Sequence, residues 1–232
     1  VALRIFETDP NAKPKVREND TVGRFRTGRL VGKQPETLPT FRITTGDPEV
    51  AKAVAELYGG TPEEWETSGE DFNEVITETD KVLVVIEGPS ALKVDMRLYG
   101  RTGLIHHCDG VESLLDEDKG RPCGCPALME DRKAFAKSGR GPSPYTFLTF
   151  RLADDYELGK FRFQSTSWKL AEVVDQYEAA LASVKGEALA ELSLELVEYT
   201  TKSGRDVSYR KPVLKVIKPW SEAVADFPDT DY

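Results

Sequence analysis

Apolar residues recur along this chain at two spacings, and each spacing marks a kind of element. Alternation with polar residues predicts a strand with one covered face, and a return every three or four residues predicts a helix. In LKVDMRLYG (92–100), Val94, Met96 and Leu98 alternate with Lys93, Asp95 and Arg97, the pattern of a half-exposed strand. KVLVVIEG (81–88) is a buried-type strand, and the Gly-Pro between the two predicts that they pair as a hairpin. YTFLTFRLAD and KFRFQSTSW are two further strands joined across Asp154-Asp155. The stretch ALAELSLELVEYTTKSGRDVSYRKPVLKVIKPW predicts two long β segments around Lys202-Ser203-Gly204-Arg205. Pro212 puts the second of them at a sheet edge or a bulge. Nearer the start, RFRTGRLVGKQPETLPTFRITTG offers two short strands about a turn-rich link.

Helical spacing appears three times. Asp47 and Pro48 form an N-cap followed by an N1 proline, Val50, Val54, Leu57 and Tyr58 share one face, and Gly59-Gly60 closes the helix. PALMEDRKAFAKSGRG predicts a helix begun by Pro126 and stopped by Gly139. Ser167 can cap an amphipathic helix carrying Leu170, Val173, Val174, Tyr177, Leu181 and Val184. Hairpins outnumber strand–helix–strand units, so the expected class is α+β with a mostly antiparallel sheet and a few packed helices. Residues 1–20 are polar and proline-punctuated and are expected to form a flexible arm. Residues 21–220 are then a single α+β domain with a small insertion at 104–141, and 221–232 are a C-terminal tail.

Charge changes the picture in one respect. The net charge of −9 opposes strong nonspecific DNA affinity, which rests on lysine and arginine neutralising phosphates. The distribution is uneven: residues 60–80 hold acids and no base, and residues 202–218 hold Lys202, Arg205, Arg210, Lys211, Lys215 and Lys218 against Asp206. Each run is a solvated face or a docking surface, the acidic one suiting a basic partner. No apolar run reaches the ~20 residues of a membrane helix. The opening Val1-Ala2-Leu3-Arg4 lacks a secretory pattern, so an intracellular protein is expected.

Both histidines and all three cysteines fall within GLIHHCDGVESLLDEDKGRPCGCP (103–126). Inside a cell such clustering points to metal or redox chemistry rather than to a disulfide framework. Cys123-Gly-Cys125 is too close for an easy disulfide. A Cys108–His107 nucleophilic pair would join sequence neighbours, which rarely face one another. A hydrolase centred on His106, His107 and Asp109 would need zinc in an open site. A closed structural zinc site fits better: Cys108, Cys123 and Cys125 supply three ligands, and His106, two residues from Cys108 on an extended chain, is preferred over His107 as the fourth. Asp109 or a residue from elsewhere is the alternative, and three unligated cysteines in a small core is the reading without metal. GRLVGK does not make a working phosphate loop, since Gly28 and Gly32 are one residue too close and Gln34 stands where Ser or Thr is needed. A nucleic-acid-binding alternative would use the basic 202–218 hairpin with Phe161, Phe163 and Trp168 as stacking partners.

Several stretches together, LRIFETDPNAKPKVREND with its continuation to Thr67, ITETDKVLVVIEGP, the histidine–cysteine segment, and LVEYTTKSGRDVSYRKPVLKVIKPW, closely resemble the recombination directionality factors of actinobacterial phages that use a large serine integrase. The likeness runs over nearly the whole chain. It implies an accessory protein without catalysis of its own, working in the host bacterial cytoplasm. Such a factor binds the phage integrase on attachment-site DNA, activates excision between hybrid attachment sites and inhibits integration, with weak or no direct nucleic acid binding and no membrane association. Family members commonly carry a further cysteine before a proline downstream of the Cys-x-Cys. Here Ser143 precedes Pro144, which turns attention to the histidines as the source of the fourth ligand.

Overall fold

A computed structural model describes residues 21–32, 34–67 and 69–225, so the expected arm at 1–20 lies outside the described residues. Eleven strands form one sheet: β1 (Gly23–Val31), β2 (Gln34–Thr45), β3 (Pro62–Glu64), β4 (Asn73–Ile76), β5 (Lys81–Ile86), β6 (Leu92–Gly100), β7 (Gly103–Cys108), β8 (Ser143–Leu152), β9 (Lys160–Ser165), β10 (Ala188–Thr200) and β11 (Asp206–Pro219). The main order is β11-β10-β5-β8-β9-β1-β2-β4-β3. Among the described residues all ladders are antiparallel except the short β1–β9 pair, and five helices accompany them, so the fold is α+β as the patterning predicts.

Alternation works as expected on β8 and β9. Leu148, Phe150, Leu152, Phe161 and Phe163 turn to the core, and their neighbours turn away from it. Phe25 from β1 meets Phe41, Phe150 and Phe161 edge-to-face with centroids 5.3 to 5.6 Å apart, the favoured aromatic arrangement. Helix α1 (Pro48–Tyr58) packs on β2 and β4. Asp47 caps it by accepting from the Glu49 N–H at 2.9 Å, and the Tyr58 hydroxyl donates to Asp154 at 3.0 Å. Leu57, expected on its apolar face, is instead exposed.

β5 and β6 do not form a hairpin. Both run antiparallel to β8 along the same side of it, β5 opposite Arg151 and Leu152 and β6 opposite Ser143 to Leu148. They are one strand direction interrupted by a 3-10 turn at Pro89–Ala91. Gly88-Pro89 therefore makes a step rather than a reversal, and the sheet forks there: β5 continues to β10, while β6 pairs with β7. β6 and β7 form the true hairpin, turning at 101–102. The β10–β11 hairpin forms as expected, with Pro212 on the edge strand.

Two helices depart from their predicted bounds. Helix α2 (Met129–Lys137) starts three residues after Pro126, because residues 123–126 are engaged elsewhere. The helix capped by Ser167 is broken into α3 (Trp168–Ala171) and α4 (Val174–Ser183). Val173 leaves helical angles at φ −118°, ψ 4°, where two adjacent β-branched residues weaken the helix. The break lets Leu170, Val174 and Leu181 all reach the core. Helix α5 (Trp220–Ala225) takes the first residues of the expected tail and buries Ala223 near β10 and β11, and residues 226–232 lie outside the described residues.

Candidate metal centre

β7 carries the first half of the histidine–cysteine segment. Because side chains alternate along a strand, His106 and Cys108 share one side and His107 takes the other. After Cys108 the chain turns at once. Asp109 accepts from the N–H groups of Glu112 and Val111 at 2.7 and 2.8 Å, which holds its carboxyl below the usual range and commits it to the turn. Bridges Cys108–Ser113 and Glu112–Pro122, with the Cys123 N–H donating to the Val111 carbonyl at 2.8 Å, fold the loop back. Cys123 and Cys125 are thereby brought against β7. They converge through Gly124, whose φ of 72° is the left-handed turn that glycine adopts without strain, and not through extended alternation.

The result is one cluster. The ligand atoms of His106, Cys108, Cys123 and Cys125 all lie within 4.8 Å of one another. Cys108 and Cys125 sulfurs are 4.0 Å apart, and the Cys125 sulfur is 3.4 Å from His106 Nε2. A tetrahedral zinc with bonds of about 2.3 Å to sulfur and about 2.0 Å to nitrogen spaces two sulfurs by about 3.8 Å, and sulfur from nitrogen by about 3.5 Å. Both observed separations match. The four residues can hold a metal ion without a large rearrangement.

The electrostatics point the same way. Burial pushes the Cys108 thiol up to about 12, and burial with the nearby Cys123 raises Cys125. Burial also acts on Cys123, but hydrogen bonds from the Cys125 backbone, from the Cys125 thiol and from the Cys108 thiol outweigh it and lower that group. Burial, then His107, lowers His106 and keeps it neutral, the form that binds metal. The raised Cys108 and Cys125 thiols hold their protons until a cation replaces them, which is what a metal does.

His107 goes elsewhere. Its Nε2 lies 3.0 Å from Asp95, which also binds Arg97, so the His106–His107–Asp109 hydrolytic grouping is not assembled. Ser143 opens β8 opposite Arg97. A residue the sequence did not flag is Arg132 of α2. It donates to the Pro126 carbonyl at 2.6 Å and to the Gly110 carbonyl at 2.7 Å, tying both halves of the loop together and setting a positive charge near Cys123 and Cys125. Nothing local in MEDRKAFAK marks it out.

The other expected surfaces are partly dismantled. Phe161 and Phe163 are 0% and 1% exposed and closed to stacking, and Trp168 is half-buried. Three of the eight acids in the acidic run serve the chain's own arginines: Asp71 binds Arg24, Glu74 binds Arg42, and Asp80 binds Arg210 of the basic hairpin at 2.9 Å. No helix among the described residues is long and apolar enough to cross a membrane. Residues 22–217 match the model of the Gp3-like family, described as recombination directionality factor-like. No solved structure matches the chain.

Proposed function

The chain belongs to the recombination directionality factor-like family, and from that premise we propose that it binds a phage large serine integrase on attachment-site DNA, activates excision between hybrid sites and inhibits integration. It carries no catalytic step itself and acts in the host bacterial cytoplasm. The family match over residues 22–217 carries this reading. The mechanism is differential affinity: the factor binds integrase on synapsed hybrid sites more tightly than integrase in the competing arrangement. A preference of about 1.4 kcal/mol shifts such an equilibrium only about tenfold, so near-complete reversal calls for several times that preference or for several copies per synapse, and we favour one factor on each integrase subunit.

His106, Cys108, Cys123 and Cys125 hold one zinc ion as a structural staple. Four protein ligands fill the tetrahedron and leave no position for a reacting water, so the metal stabilises the 104–141 segment instead of supplying chemistry. Mixing the purified protein with its cognate integrase and hybrid-site DNA should yield excision and suppress integration. Failure of the two proteins to associate in solution or on DNA, or equal excision without the factor, would refute the reading.

A further inference from the structure

Residues that alternate with the buried ones on β6, β8, β9 and β1 form a second face of the sheet, and its chemistry differs from that of the whole chain. Among the described residues, a cavity of about 630 Å³ on this face is lined by five cations, Arg24, Lys93, Arg97, Lys160 and Arg162, and by no carboxylate. In a chain with 40 acidic against 31 basic residues, that composition is the reverse of the average. Three rings share the lining: Tyr99, Tyr145 and Phe147. Tyr99 is 50% exposed and stands 5.8 Å from Tyr145, which stacks 6.2 Å from Phe147. Arg97 and Arg162 lie over Phe147 at 4.8 and 5.3 Å.

Strand register puts these groups in rows. Lys93 is opposite Phe147 and Phe147 opposite Gln164, while Thr149 is opposite Arg162 and Arg162 opposite Arg24. Three interstrand steps from β6 to β1 span about 14 Å, longer than one phosphate needs. Carboxylates outside the lining reach some of the cations: Asp71 binds Arg24, Asp95 binds Arg97, and Glu87 binds Lys160. Lys93 has no ion-pair partner among the described residues. The row continues to Arg26 on β1 and to Arg42 opposite it on β2, the latter paired with Glu74. Burial, then Arg24 and Arg42, holds the Arg26 guanidinium below its ordinary value, and its buried Nε has no hydrogen-bond partner.

We propose that this face binds a short segment of single-stranded nucleic acid, with phosphates against Lys93, Lys160, Arg24 and Arg162 and a base against Tyr99 and its ring neighbours. Cations in a row with an exposed ring are the parts such a site requires. A duplex would offer phosphates but keep its bases paired, and an acidic peptide would leave the rings without a partner. The net charge of −9 does not forbid the contact, because at physiological salt charges beyond about 8 Å are largely screened. The proposal stands apart from the directionality reading and holds whether or not the chain binds integrase.

The test is fluorescence anisotropy of the full chain with a labelled oligothymidine of about twelve nucleotides, a duplex of equal length, and polyglutamate as competitor, across a salt series. Contact with three or four phosphates predicts a log–log salt slope of about −2 to −3, and Lys93→Ala should reduce it by about 0.7. Tyr99→Ser should weaken binding about fivefold or more without changing the slope. Equal or tighter duplex binding, displacement by polyglutamate as effective as by unlabelled oligonucleotide, or unchanged affinity in both variants would overturn the proposal. Ultraviolet cross-linking of the oligonucleotide to the unmodified protein keeps the test independent of how the variants fold. Adducts in 92–100 or 143–152 support the site, and adducts confined to 202–218 refute it.

Discussion

Leu181 lies in the last turns of α4 with no exposed surface, among the residues of the main core. Replacing it by alanine removes three buried carbons, about 2.4 kcal/mol at ~0.8 kcal/mol each. The cavity left behind adds to this, giving about 2.5 to 5 kcal/mol in total. For a chain of this size each kcal/mol moves the melting temperature by about 2 to 4 °C, so Leu181→Ala should lower it by roughly 5 to 20 °C. Glu172, two residues after Leu170 at the end of α3, is the control. Its carboxylate reaches Lys133 at 2.9 Å and Lys169 at 3.1 Å on the surface, where screening leaves such pairs little net effect. Glu172→Ala should therefore barely move the melting temperature at neutral pH. Lys133, then Lys169, holds the Glu172 carboxyl below its ordinary value of 4.5. A lowered carboxyl contributes stability above its unfolded pKa and loses it as pH falls through the folded one, so any wild-type advantage should fade as the pH falls below 4.5 and through the lowered folded value. Calorimetric or circular-dichroism melts of the three proteins decide the matter. Equal, small shifts for both substitutions would refute the packing of α4 on the sheet.

Protein purified without added zinc should contain close to one zinc per chain by metal analysis, and Cys123→Ser should lower both the content and the melting temperature; metal-free protein that is folded and active would refute the staple. Thr77 is buried and accepts from the Phe41 N–H at 3.1 Å, so Thr77→Val should cost about 1 to 3 kcal/mol in a urea titration, whereas an unchanged midpoint would mean that water replaces the hydroxyl. Gly60 has φ 91°, and a Cβ there would run into the Ile76 carbonyl oxygen, so Gly60→Ala should lower the urea midpoint by at least the ~1 kcal/mol of left-handed strain.

Of the candidate metal centre, the residue types and half of the geometry were legible in the sequence. His106 and Cys108 fall on one side because β7 is extended, and alternation states this without a structure. Extended spacing brings Cys123 and Cys125 toward His106 and Cys108 by an incomplete route, since the left-handed Gly124 aims them. Asp109 stays an open alternative in the sequence, and its two backbone hydrogen bonds in the fold commit it to the turn. Arg132 is invisible there, because its contacts are carbonyls away along the chain at Pro126 and Gly110.

The same division runs through the fold. Periodicity and capping determined where β8, β9, α1 and the β10–β11 hairpin lie, because those patterns record which way each side chain faces and how each element begins and ends. They are silent on which strand lies beside which. That is why Gly88-Pro89 reads as a hairpin turn when it is a step along β8, and why Val173 reads as mid-helix when the chain bends there to fit the sheet. The cationic face has the same origin. Arg24, Lys93 and Arg162 are scattered along the sequence and become one surface only through strand order and register, which depend on long-range pairing and not on local pattern.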